Sequence, residues 1–276
     1  MNKSFKCYIP QIFLQNSTGC GIIVGIMEKT LLIAGKELPE GTNFAAGAVT
    51  RGRRTLVTKS HSDADVAVPS GTTAAVWNRP SALSARSLVL KSLNEFGHLD
   101  ECVILFDESY FDSRFGKLTS SAENVRVVEE LISSYQYLTM EVVARLQKKS
   151  IEKSKQPLRL AFVYKSSPSL IETVLSRSPN KAGKRHSSPF LSTAAAAFKC
   201  YAENVAASLV ESADVLPLLV QCDCDNALYD NDNALAVWLF DYISALSSMR
   251  KPLSTKQKLT WIKAGAKSPG GFGIFG

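Results

Sequence analysis

The stretch Ala85–Asp107, ARSLVLKSLNEFGHLDECVILFD, constrains the fold more than any other part of the chain. Ala82, Ala85, Val89, Leu93 and Phe96 recur at spacings of three and four, which gives a helix one apolar face. Gly97 can take the left-handed conformation that ends a helix, and Leu99-Asp100 makes a short turn. The run CVILF is then apolar without alternation and stops at Asp107. An alternating strand leaves one face to water, whereas an unalternating one is covered on both faces, as central parallel strands are. The stretch is therefore one helix-strand unit of an α/β sheet.

The same unit recurs along the chain. Thr30 to Ala34 reads as strand one, residues 35–41 as a loop, and Asn43 to about Thr50 as a helix. TLVT at 55–58 and AAVW at 74–77 read as strands two and three. Pro80 suits the first turn of the helix opened by Asn78-Arg-Pro-Ser81. After strand four a loop carries Tyr110, Phe111 and Phe115. A long helix follows from about Ser121 to Lys148, with Val125, Val128, Ile132, Tyr135, Val142 and Leu146 on one face. RLAFVY at 159–164, a basic Ser-rich loop, a helix from Ser192 to Glu211, VLPLLVQ at 215–221, an acidic turn and a helix from Ala234 to Ser247 complete the series. The Gly-rich tail SPGGFGIFG is expected to end in one more short strand. Strands alternating with helices require right-handed crossovers and hence a mostly parallel sheet. Residues 29–276 form a single domain. Residues 1–28 stand outside the pattern, as an edge strand built from GIIVGI or as leader sequence ahead of Met27.

Composition removes several function classes. The net charge of +7 comes from scattered groups, densest at Arg51-Gly-Arg-Arg54, Lys148 to Lys155 and Lys181 to Arg185. No aromatic residues interleave with them as a nucleic-acid stacking platform requires. No apolar run approaches the roughly 20 residues of a membrane span, and the chain reads as cytoplasmic. Six cysteines without a C-x-x-C pair read as reduced thiols. Asp223, Asp225, Asp230 and Asp232 lack the glycine and closing glutamate of a calcium loop, and His61, His98 and His186 are far apart in sequence. No metal site is expected.

The helix followed by F-G-x-L-D-x-x-V, carried by Phe96, Gly97, Leu99, Asp100 and Val103, resembles the third helix and fourth strand of the short-chain dehydrogenase/reductase family. The element order is similar to that family from about residue 29 onward. The resemblance implies a doubly wound, Rossmann-like sheet of about seven strands with helices on both faces and a nicotinamide dinucleotide at the first strand-helix turn. The family's T-G-x-x-x-G-x-G loop falls on Ala34 to Gly41. Gly35 and Gly41 match the outer glycines, while Ala34 replaces Thr and Pro39 replaces the middle Gly. Proline has no amide proton to offer, and Glu37 and Glu40 put negative charge where phosphates would lie. Lys59, after strand two, would favour the 2′-phosphate of NADP, and Asn78 replaces the Asp that meets the adenine edge. Gly35, Gly41, Lys59 and Asn78 are thus the candidate cofactor residues, and the expectation is weakly bound NADP or no cofactor.

The resemblance also implies where catalysis should lie. The family's N-N-A-G at the end of strand four falls on Ile104, Leu105, Phe106 and Asp107. Its proton-donating Tyr, and the Lys four residues later that tunes it, fall on Leu191 and Ala195. Its Ser falls on Ser166 or Ser167, and its helix Asn falls near Tyr135. Lys181, Lys184, Arg185 and His186 sit where the family carries a mobile substrate loop. No catalytic residue is assigned. The expectation is a catalytically degenerate family member acting as a binding or structural homo-oligomer through helices four and five, where Ala194–Ala197 and Ala206-Ala207 permit close approach. The alternative is an NADP-dependent oxidoreductase of a small carbonyl or alcohol, with catalytic groups displaced to Tyr164-Lys165 or Tyr201.

Overall fold

A computed structural model of the chain describes residues 28–60, 67–115, 121–149, 156–168, 171, 175, 188–249 and 253–268. The strands are β1 (Lys29–Leu38), β2 (Arg53–Lys59), β3 (Thr72–Val76), β4 (Glu101–Asp107), β5 (Leu158–Ser166), β6 (Val215–Asp223) and β7 (Ile262–Lys263). They form one seven-stranded sheet in the order β3-β2-β1-β4-β5-β6-β7, with every pairing parallel. β4 is the middle strand, so Val103–Phe106 lie at the centre of the fold.

The unbroken apolar run of β4 is explained by its two covered faces. Cys102, Ile104 and Phe106 enter the core on one side, and Val103 and Leu105 enter the core on the other. The first side is closed by α2 (Ala82–Phe96), α5 (Ser134–Lys149) and α6 (Pro189–Ser208). The second is closed by α1 (Thr42–Thr50) and α7 (Asp232–Ser247). Side-chain caps set the helix starts: Ser81, Ser188 and Asn231 accept from the amides of Ser84, Leu191 and Ala234. Gly97, at φ 78°, ends α2.

Three elements depart from the sequence expectation. First, the loop after β4 is a helix, α3 (Glu108–Phe115), entered directly because the Asp107 carboxylate accepts from the Tyr110 amide at 3.2 Å. Second, the long helix is divided into α4 (Ser121–Val128), a π-helical turn (Glu129–Ser133) and α5. Its buried row is Val127, Leu131, Tyr135, Leu138 and Val142, while Val125 and Val128 are exposed. Three-four spacing accepts either row, because both carry apolar residues. Third, β1 does not stop at Ala34 but runs to Leu38, so residues 35–38 are strand rather than phosphate loop. Its register with β2 breaks between Ile33 and Leu38, and the Leu38–Pro39 bond is cis. A four-residue helix, α8 (Thr255–Lys258), precedes β7. The short strand expected in the Gly-rich tail falls at 269–276, outside the described residues, as do residues 1–27.

Gly35 makes the β1 extension possible. Its φ is +112°, and a Cβ there would lie 1.9 Å from the Leu105 carbonyl oxygen of β4. Gly35→Ala combines a backbone conformation closed to L side chains with a backbone collision. It is expected to cost at least about 3 kcal/mol, read as a shift in the urea midpoint. A loss below about 1 kcal/mol would contradict this close approach.

Candidate functional site

The strand order reverses between β1 and β4, and in open α/β sheets the crevice beyond the carboxyl ends of the strands at that point is where ligands bind. In this chain a cluster centred on Arg79 stands at one side of it. The Arg79 guanidinium donates from Nε to Glu37 Oε1 at 2.6 Å, from Nη2 to the Gly35 carbonyl at 2.7 Å and from Nη1 to the Glu130 carbonyl of the π turn at 3.1 Å. The rings of Trp77, Phe111 and Tyr135 surround it at 4.6, 4.9 and 5.3 Å. The other Glu37 oxygen accepts the Tyr110 hydroxyl at 2.5 Å, and Arg114 stands 3.7 Å away. Burial alone would push the Glu37 carboxyl up, but Arg79, with help from Tyr110 and Arg114, holds it below the usual glutamate value.

Beside this cluster lies a cavity of about 410 Å³ whose lining includes Lys36, Asp107, Lys165, Asp232, Tyr229 and Glu40. Lys36 lies within β1's extension, Asp107 ends β4, Lys165 is the last residue but one of β5 and Asp232 starts α7. Their charges close a square: Lys36–Asp107 is 2.8 Å, Asp107–Lys165 3.0 Å, Lys165–Asp232 2.6 Å and Asp232–Lys36 2.6 Å. Burial would raise the Asp107 carboxyl, but the Lys165 and Lys36 ammonium groups outweigh it and hold it low. Burial would likewise lower Lys165, but Asp107 and Asp232 raise it above an ordinary lysine. Lys165 is thus held as a cation. An ammonium held in that form has no lone pair for nucleophilic or Schiff-base chemistry.

The sequence-derived candidates lie on β1, at the start of α1, at the end of β2 and after β3. Gly35 lies within β1 against β4, which corrects its placement in a loop. Gly41 precedes α1, and its amide donates to the Glu37 carbonyl at 2.9 Å, while the Thr42 amide donates to the Pro39 carbonyl at 3.0 Å. Lys59, expected just after strand two, is the last residue of β2 and is half-buried. Asn78 is exposed, with its backbone amide on Ser84 Oγ.

Leu191 and Ala195, at the Tyr and Lys positions, are core residues exposed by 1 % and 2 %. Phe106 is fully buried among Phe111, Tyr135 and Phe198, with ring centroids 5.0, 5.7 and 5.1 Å away. Tyr135 donates to the Leu105 carbonyl. Ser166 donates to Asp223, and Ser167 pairs with Tyr229 at 3.3 Å. Tyr164 donates to the Glu108 carboxylate. Burial and that carboxylate raise its pKa, and burial also raises Tyr201. His61 and the basic group Lys181, Lys184, Arg185 and His186 lie outside the described residues.

Sequence reasoning missed Arg79 and Asp232. The first stood in a helix-opening N-R-P-S and the second in what reads as a solvated acidic turn. Charged residues ending apolar strands, as Asp107 and Lys165 do, were the available signal. The Arg51-Gly-Arg-Arg54 patch is also less free than it reads: Arg51 pairs with Asp241, and Arg53 is buried on Glu101. Cys102 and Cys222 are buried free thiols pushed up to about 12 by burial. Among the described residues no cluster of His, Cys, Asp and Glu could hold a metal ion, and no helix is long and apolar enough to cross a membrane.

The class defined by this topology is the Rossmann-like, doubly wound parallel sheet. Within it, solved short-chain dehydrogenases share the chain's fold. A short-chain alcohol dehydrogenase from Burkholderia multivorans superposes with a TM-score of 0.57 at 12 % identity, covering 87 % of this chain and 98 % of that one. A short-chain dehydrogenase/reductase of the glucose/ribitol dehydrogenase type from Brucella melitensis gives 0.54 at 12 % identity, covering 86 % and 96 %. A 3-ketoacyl-(acyl-carrier-protein) reductase from Brucella melitensis, complexed with NADH, gives 0.52 at 13 % identity, covering 86 % and 97 %. At these identities the likeness is one of fold. No family model matches the sequence, and no curated protein matches it.

The charge square predicts a pH signature. The Asp107 pKa is lowered on folding, so its stabilisation is complete above the ordinary value of 3.8 and is lost as pH falls towards the folded value. The Lys165 pKa is raised, so its stabilisation is complete below the ordinary 10.5 and is lost as pH rises through the folded value. Asp107→Asn leaves two buried ammonium groups sharing one carboxylate. It is expected to cost roughly 3–5 kcal/mol at neutral pH and to flatten the acid limb of a urea-midpoint profile. Equal midpoints for native and variant at neutral pH would rule the square out as a stabilising element.

Proposed function

We propose that the chain keeps the dehydrogenase fold without hydride transfer and works as a cytoplasmic binding or structural protein, in homo-oligomeric form. The observation that carries this reading is the turn between β1 and α1, which lacks free amides for a phosphate. A pyrophosphate needs free amides, space and positive charge. Here the turn amides of Gly41 and Thr42 are bonded internally, Pro39 has none, and the Arg79 charge is matched by Glu37. The residues therefore fit a dinucleotide poorly. Protonation of a reduced carbonyl, typically worth roughly 10²–10⁴-fold, has no donor at Leu191 and no tuning ammonium at Ala195.

One observation favours the second reading, an NADP-dependent oxidoreductase acting on a small carbonyl or alcohol. The N-terminus of α1 has no side-chain cap and no acidic residue in its first turn, and Lys59 stands at the end of β2. A weakly held NADP is compatible with that pair. The displaced acid this reading needs is poorly supplied by Tyr164, whose hydroxyl is engaged by Glu108 and whose pKa is raised.

Calorimetric titration with NADPH and NADH separates the two. We expect no saturable binding at micromolar concentration and no cofactor oxidation above background across a carbonyl panel. A micromolar NADPH dissociation constant that weakens on Lys59→Ala, with turnover lost on Tyr164→Phe, would establish the oxidoreductase instead.

Oligomerisation is proposed through α5 and α6. Met140, Ala196 and Ala207 are exposed on these helices, so a C₂ pairing could repeat a small-residue, apolar patch on both subunits. Sedimentation at micromolar concentration is expected to give a dimer or tetramer. A monomer alone would remove this part of the proposal.

A further inference from the structure

We infer that the open cavity beyond the ends of β1, β4 and β5 binds a small hydroxylated primary amine, an amino alcohol with ammonium groups and a free hydroxyl. This deepens the reading of a binding protein and rests on it, because it names a ligand for the edge of the sheet that a dinucleotide fits poorly. The volume of about 410 Å³ is that of a small-molecule site. The floor of the cavity is the charge square. A lysine ammonium carries three N–H donors. Asp107 and Asp232 engage two on Lys36 and two on Lys165, and among the described residues neither nitrogen has another hydrogen-bond acceptor. The Lys165 side chain is only 5 % exposed, so its third donor has to be met from the cavity. Two lysines and two aspartates make the floor neutral. The partner it suits is an uncharged acceptor that can also donate onward, which describes a hydroxyl.

The rim sets the charge of the ligand. Glu40, in the turn before α1, and Asp230, ahead of α7, are exposed and have no ion pair among the described residues. With the floor neutral, these two give the lining a net charge of −2, which repels phosphate and draws in a cation. The side chains of Asn43 on α1 and Ser109 on α3 are exposed and have no hydrogen-bond partner among the described residues, so they are open to further hydroxyls. Among the described residues no aliphatic side chain lines the cavity, and an apolar ligand would have nothing to pack on. Its two rings already face protein cations: Lys165 Nζ lies 5.0 Å from the Tyr229 centroid, and the Arg114 guanidinium 4.6 Å from that of Tyr110. A quaternary ammonium, which depends on free aromatic faces, is therefore poorly served. A primary ammonium, which donates hydrogen bonds to carboxylates, is well served.

The probe is 1,3-diamino-2-propanol, which places one hydroxyl between two ammonium groups. Glycerol has the same skeleton with hydroxyls in place of both ammonium groups, and 1,3-diaminopropane lacks the hydroxyl. Calorimetric titration of the full chain at constant ionic strength is expected to give saturable binding of the diamino alcohol, with a dissociation constant on the order of 1 mM for so small a molecule. Glycerol should give no saturable heat. The hydroxyl-free diamine should bind at least about threefold more weakly. Glu40→Gln and Asp230→Asn, exposed and outside the charge square, should each weaken the diamino alcohol by about threefold while leaving the melting temperature of the unliganded chain in place. Absence of saturable binding to the native chain, equal affinity for glycerol or for 1,3-diaminopropane, or undiminished affinity in either variant would overturn the inference. A parallel NADPH titration keeps the underlying reading distinct. NADPH bound and the diamino alcohol refused overturns both, whereas refusal of both ligands overturns this inference alone.

Discussion

Charge removed from water has to be matched within the protein, and this requirement pins both edges of the sheet. At the carboxyl edge, Lys36, Asp107, Lys165 and Asp232 are each held between two opposite charges. At the amino edge, Arg53 of β2 forks onto Glu101 of β4 and reaches the Phe240 carbonyl and Ser244 of α7. The two apolar layers hold helices against the sheet, but apolar contact is non-directional. A strand could slide by one residue pair and lose little of it. The ion pairs cannot slide, because removing one member strands its partners in a poorly solvated place. β1, β4, β5 and α7 are therefore locked in a common register, and the cavity floor is part of that lock.

The fold was legible where one local signal sufficed. β4 is an unbroken apolar run because Ile104 and Phe106 face one layer while Val103 and Leu105 face the other. Ser81 and Ser188 cap their helices, so Pro80 lies before the first turn rather than in it and α6 begins at Pro189 rather than Ser192. Legibility failed where a distant backbone decided the outcome. Residues 35–41 have the composition of a loop, and the packing of Gly35 on the Leu105 carbonyl lets the strand run on to Leu38. The helix after Asp107 was hidden because it follows the strand without a turn, although Asp107 supplied its cap.

The site was less legible than the fold. Lys36, Asp107, Lys165 and Asp232 lie far apart in sequence, and each alone reads as an ordinary charge at the end of an element. Arg79 gains its role from three aromatic rings and three acceptors spread from Gly35 to Tyr135. No spacing rule connects them. The resemblance named Gly41 and Lys59 from their places in the element order, but it could not report the Arg79 cluster against Gly35 and Glu37.

The same physics governs the carboxyl edge of the sheet. Parallel strands that end together with the starts of several helices concentrate partial charges: unpaired amides at the helix N-termini and unpaired carbonyls at the strand ends. In dinucleotide-binding doubly wound folds the pyrophosphate answers the amides. Here side chains answer both signs. Asp107 and Asp232 place carboxylates at the first turns of α3 and α7, while Arg79 answers the Gly35 carbonyl and the π-turn carbonyl of Glu130. Each substitute is itself paired, Asp107 and Asp232 with two lysines and Arg79 with Glu37, so none leaves a net buried charge. α1 keeps an uncapped start, and Pro39 and Glu40 beside it are poorly suited to holding a phosphate. On this reading the sheet's carboxyl edge has been completed from within, and any partner the protein takes must be recognised by the cavity rim or by the outer helices.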